Sequence, residues 1–90
     1  MSWSNYEDKV IGNLWYESDG DIYTHEFVHD GYGGYDENVY ENDRDPQCEN
    51  LYHLGAKWVT DDPKELREYI SYHLDLDNAN DKLKNFLKGD

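Results

Sequence analysis

Apolar and polar positions change rhythm once along the chain, near residue 62. Before that point the pattern is that of strands. Residues 9–17 carry the β-branched and aromatic content of a strand, with Val10, Ile11, Leu14, Trp15 and Tyr16. Residues 18–21 follow as Ser-Asp-Gly-Asp, and Asp19-Gly20 suits a type I′ hairpin turn because glycine tolerates positive φ. Residues 22–29 then read as the return strand. With Asp19 and Gly20 as the turn, Tyr16 faces Tyr23 and Leu14 faces His25. Val10, Leu14 and Tyr16 share one face with Tyr23 and Phe27. Residues 30–50 are rich in Gly, Asp, Asn and Tyr, and Gly31, Gly33 and Gly34 exclude a regular helix there. A short strand is expected at 38–41, a turn at 42–46 and another strand at 51–60.

After residue 62 the period becomes helical. Asp62 fits an N-cap, Pro63 fits the first helical position, and Glu65 completes a capping-box pattern. Leu66, Ile70, His73 and Leu74 fall on one face. Asp77 is the expected cap of a second helix, striped by Ala79, Leu83, Phe86 and Leu87. Lys82, Lys84 and Lys88 favour its C-terminal end through the helix dipole, and Gly89 stops it. Strands first and helices second predict an α+β fold, a small antiparallel sheet of three to four strands followed by two C-terminal helices. A single domain is expected over 1–90, with a β-rich part at 1–62 and a helical part at 63–90. A chain this short buries about 65% of its unfolded surface. The expected core is Trp15, Trp58, Ile70, Leu83 and Phe86.

Charge changes this picture. The 90 residues carry 21 acids and 8 bases, a net charge of −13 with neutral histidine. Residues 1–62 hold 15 of the acids and 3 of the bases, so the helical part is nearly balanced. Residues 17–49 are the extreme, with 11 acids against Arg44 alone. The 16% aromatic content, including nine Tyr, argues against a wholly disordered acidic chain. Such charge opposes direct binding to a nucleic-acid backbone. No apolar run is long enough for a membrane span, and the N-terminus lacks a basic start and apolar stretch, so a cytoplasmic protein is expected. Cys48 stands alone, which excludes an internal disulfide and a cysteine zinc site. Glu49 and Asp45 would raise rather than lower its thiol pKa.

His25-Glu26-Phe27-Val28-His29 matches the H-E-x-x-H string of zinc hydrolases. That chemistry needs a helix, where one turn separates the histidines and both reach one ion. On a strand they stand about 13 Å apart. The preceding hairpin turn and following Gly31 favour the strand, so neither a metal nor another cofactor is expected. The pairs Asp75/Asp77 and Asp19/Asp21 lack the rest of a calcium loop. Gly31-Tyr32-Gly33-Gly34 lacks the lysine of a phosphate loop.

The acids are spaced in two i, i+2, i+4 sets, Glu17/Asp19/Asp21 and Glu41/Asp43/Asp45. Along extended chain, i and i+2 lie about 6.6 Å apart on one face. That is close to the separation of successive phosphates of a nucleic-acid strand. Arginine and lysine pockets built for phosphates would accept such carboxylates. Tyrosines add contact area with a polar tip. Tyr23, Tyr32, Tyr35, Tyr40 and Tyr52 lie in or beside the acidic stretch. The expected contact set comprises the two acidic triplets with Asp36, Glu37 and Glu49, joined by Tyr32, Tyr35 and Tyr40.

In size, charge, Asn/Asp/Tyr richness and order of elements, the chain resembles the small acidic bacteriophage proteins that mimic DNA, among them anti-restriction and anti-CRISPR inhibitors. The resemblance implies a non-enzymatic inhibitor in the host cytoplasm, blocking the DNA- or RNA-binding site of a basic protein such as a CRISPR effector or restriction enzyme. An immunity protein or antitoxin that neutralises a basic nuclease toxin would use the same physics. A small zinc hydrolase is the third alternative.

Overall fold

The computed structural model describes residues 9–42 and 51–89. Four strands, β1 (Val10–Ser18), β2 (Asp21–His29), β3 (Tyr35–Asn42) and β4 (Leu51–Thr60), precede helices α1 (Pro63–His73) and α2 (Asp81–Leu87). The sheet is antiparallel throughout, in the order β1-β2-β3-β4. This is the α+β arrangement expected from the change of period.

The first hairpin forms around Asp19 (φ 53°) and Gly20 (φ 87°). Positive φ at both turn positions matches the twist of the flanking strands. Tyr16 pairs with Tyr23 and Leu14 with His25, as the turn dictates. Val10 departs from expectation. A bulge before Gly12 sets Val10 opposite Val28, which turns it away from the face of Leu14 and Tyr16.

Strand β3 is longer than the expected 38–41 and starts at Tyr35. Its Asp, Glu and Asn residues have low strand propensity, but pairing on both sides by β2 and β4 overrides it. Asp30 builds the entry: its Oδ1 accepts from the Tyr32 amide at 2.7 Å and the Gly34 amide at 3.0 Å. Gly34 is held by its neighbours, since a Cβ there would lie 2.3 Å from the Trp58 indole nitrogen.

One face of the sheet carries the helices. Leu14, Phe27 and Tyr35 from the strands meet Leu66 and Ile70 of α1, Leu83 of α2 and Ala79 between the helices. Gly12 lets α2 approach, because a Cβ there would stand 2.5 Å from the Leu83 backbone. In α1, Asp62 caps by accepting from the Lys64 amide at 2.9 Å, and Leu66 and Ile70 are buried. His73, expected on the apolar face, is exposed, and Leu74 is the C-cap. The cap of α2 is Asn80, not Asp77. Its Oδ1 accepts from the Leu83 amide at 2.9 Å and the Asn13 amide at 3.2 Å, tying the helix start to β1. Ala79 therefore precedes the helix and bridges to Leu14. Of the expected core, Ile70 and Leu83 are fully buried, while Phe86 is partly buried against it. Trp15 is half-buried, and Trp58 is 59% exposed because it sits on the edge strand β4, pointing over Gly34. No helix of the described residues is long and apolar enough to cross a membrane.

Candidate functional site

Two places gather chemistry. The first is the acidic end of the sheet. Glu17 and Asp21 flank the turn that holds Asp19, and Glu41 lies across the sheet from them, opposite Tyr23. Glu17, Asp19 and Asp21 are exposed and Glu41 half-buried. None of the four has a hydrogen-bond or ion-pair partner among the described residues. Their field is felt by Tyr23: slight desolvation, then the charges of Asp21 and Glu41, hold its phenol above the usual range.

The expected 6.6 Å repeat does not describe Glu17, Asp19 and Asp21. The turn reverses the chain between them, so they form an acidic tip and not a line. Asp43, Asp45 and Glu49 lie outside the described residues. Asp36 is half-buried on the face away from the helices, in register with Trp58. Tyr32 is exposed at the loop apex. Two residues of the expected contact set point inward. Tyr35 is a core residue, its ring edge-on to His29 at 5.0 Å. Glu37 is 3% exposed. Tyr40 is half-buried, its hydroxyl donating to Glu26 Oε1 at 3.3 Å and its ring 5.1 Å from His53.

Glu37 organises the second place. It follows Asp36 in the strand alternation, so it faces the helices while Asp36 faces away. An ionised carboxylate only accepts hydrogen bonds. His25 Nδ1 therefore donates to Oε2 at 2.5 Å, and the Tyr69 hydroxyl of α1 donates to Oε1 at 2.7 Å. Lys57 Nζ lies 3.8 Å from Oε1 and 5.2 Å from the Tyr69 ring centre, largely in solvent. On the far side of the imidazole, Nε2 meets the Tyr16 hydroxyl at 3.2 Å. Burial pushes the Glu37 carboxyl up. The hydrogen bonds from His25 and Tyr69, with the charges of His25 and Lys57, outweigh it and hold the group below its ordinary value. Burial, then the Glu37 carboxylate, push the Tyr69 phenol up. A cavity of about 590 Å³ opens beside this cluster, walled by Val39, Gly55, His73 and Leu74.

The cluster solves a problem of this composition: a carboxylate buried in a strongly acidic chain must be paired and hydrogen-bonded. A signal for it existed in the sequence. Once Leu14 faces His25, period 2 puts His25 on the core face, where an imidazole needs a partner. His29 points elsewhere in its bonding, with Nδ1 accepting from the Gly31 amide at 3.2 Å. Residues 25–29 are strand, so the helical spacing of an H-E-x-x-H zinc site is not formed, and no metal-holding group of three ligands occurs among the described residues. No family model, curated protein or solved structure matches the chain.

Proposed function

We propose that the chain is a non-enzymatic inhibitor whose carboxylates stand in for nucleic-acid phosphates, blocking the DNA- or RNA-binding site of a basic protein such as a CRISPR effector or restriction enzyme. One observation carries this reading: Glu17, Asp19, Asp21 and Glu41 crowd one end of the sheet with no cation paired to them among the described residues. Like charges held together cost stability through self-repulsion. A basic partner recovers that cost, because its arginines and lysines form charge-assisted hydrogen bonds to the carboxylates. The net charge of −13 also accelerates encounter with a cationic cleft. A hairpin paired down to Ser18 and Asp21 holds the tip, which lowers the order to be gained on binding.

The test is inhibition of DNA cleavage across a panel of CRISPR effectors and restriction endonucleases. At least one enzyme is expected to be inhibited in competition with its DNA. Charge reversal at Asp19, Asp21 and Glu41 together abolishes that inhibition, whereas His25→Ala leaves it intact. A panel cleaving at full rate throughout overturns the proposal. A toxin nuclease neutralised in the same assay, with the effectors untouched, assigns the chain to the immunity proteins instead.

A further inference from the structure

The two edges of the sheet are treated differently by the chain. Along β1, the segment between the helices covers the middle of the edge at Asn13 and Leu14. Ala79 bridges to Leu14, the Asn80 amide donates to the Asn13 carbonyl at 2.9 Å, and the Asn80 side chain accepts from the Asn13 amide. Along β4, no described residue pairs with the outer side. An unpaired edge strand presents a row of free amides and carbonyls to any matching strand.

The side chains of β4 do not guard that edge with repulsion. Tyr52 (59% exposed), Leu54 (55%) and Trp58 (59%) are three of the large apolar side chains left in solvent. Strands β1, β2 and β3 each carry carboxylates, and β4 carries none; its one permanent charge is Lys57. In a chain of −13, this is where a second equally acidic chain can approach.

We infer that β4 pairs antiparallel with β4 of a second copy, joining two sheets into one of eight strands about a two-fold axis. Antiparallel pairing has an electrostatic consequence. The start of β4 lies at the acidic end of the sheet, since Leu51 pairs with Asn42 and Asn42 with Ile22. Reversing one strand against the other sends the two acidic tips to opposite ends of the dimer. Bulges at Leu54 and Val59 bend β4 and leave Gly55–Trp58 in regular register, which is where the new ladder centres. Ala79 and Asn80 occupy the middle of the β1 edge and interrupt the long free edge a further copy would need, so the assembly stops at two chains.

Sedimentation equilibrium of the full chain over a range of concentrations tests this, with and without added salt. Twice the 10.7 kDa chain mass is expected at the higher concentrations. Added salt tightens the dimer, because it screens two chains of −13 from each other while the contact itself is apolar and backbone-made. Leu54→Lys, at an exposed position that does not disturb the fold, weakens dimerisation at least about 10-fold with unchanged circular dichroism. A single-chain mass at every concentration and salt overturns the inference. So does a dimer that survives Leu54→Lys or that salt dissociates, since either places the contact on another surface.

Discussion

His25 on β2 and Glu37 on β3 form a diagonal cross-strand pair, Nδ1 to Oε2 at 2.5 Å, inside the face that the helices cover. The pair fixes both side chains: Glu37 is withdrawn from the acidic surface, and Nδ1 of His25 is committed to its carboxylate. Removing one partner of a buried pair leaves the other charge uncompensated. His25→Ala is expected to cost about 3 kcal/mol of stability. Glu37→Gln costs about 1–2 kcal/mol, because the amide oxygen still accepts from Tyr69. Urea denaturation of the two variants checks the order.

Acid should erase the Glu37 contribution. Its folded pKa lies below the ordinary value of 4.5. The pairing therefore stabilises fully above that value and is lost as pH falls through the lower folded value. Protonating the surface acids acts in the opposite sense by relieving repulsion, so the informative quantity is a difference. The stability gap between wild type and Glu37→Gln should be full at neutral pH and close progressively below the ordinary glutamate range. Urea melts of both proteins at a series of pH values measure it.

Two glycines should respond oppositely to alanine. At Gly12 the new methyl meets the Leu83 backbone at 2.5 Å, and α2 must move. A loss of about 1–3 kcal/mol is expected. At Gly55 nothing lies within 4 Å, so alanine is neutral or gains a few tenths of a kcal/mol. Thermal melts of the two variants distinguish them directly.

Asn80 does two jobs, capping α2 and bonding the edge of β1. Asn80→Ala is expected to cost about 1–2 kcal/mol. Asp77→Ala should cost far less, since Asp77 does not cap the helix. Hydrogen exchange at the Leu83 amide gives a local readout, fast in Asn80→Ala and unchanged in Asp77→Ala.

Local signals in the sequence were strong where one residue decides the geometry. Asp19-Gly20 sets the hairpin and with it the register of Tyr16 and Leu14, and Asp62-Pro63 sets the start of α1. Signals failed where neighbours distant in sequence decide. Strand β3 was legible at 38–41, but its earlier start was not, because Asp36 and Glu37 are poor strand formers held in the sheet by β2 and β4. Trp58 reads as core by size, but an edge strand leaves it in solvent. The run Asp77-Asn78-Ala79-Asn80 offers several caps, and the bond to Asn13 selects Asn80. The acidic spacing counted residues along an extended chain, while the turn at Asp19 folds that set into a tip. Glu37 differs from its neighbour Asp36 only by strand alternation, which places one inside and the other outside.

Carboxylates of the acidic tip that stand in for phosphates must bind more weakly as salt rises. With a nuclease inhibited by the chain in hand, the dissociation constant is measured between about 50 and about 500 mM salt. Wild type is compared with the variant reversed at Asp19, Asp21 and Glu41. Wild type should lose affinity steeply as salt rises, and the variant should bind weakly with a shallow slope. Affinity indifferent to salt, or unchanged by the three reversals, would mean that the tip carboxylates do not make the contact.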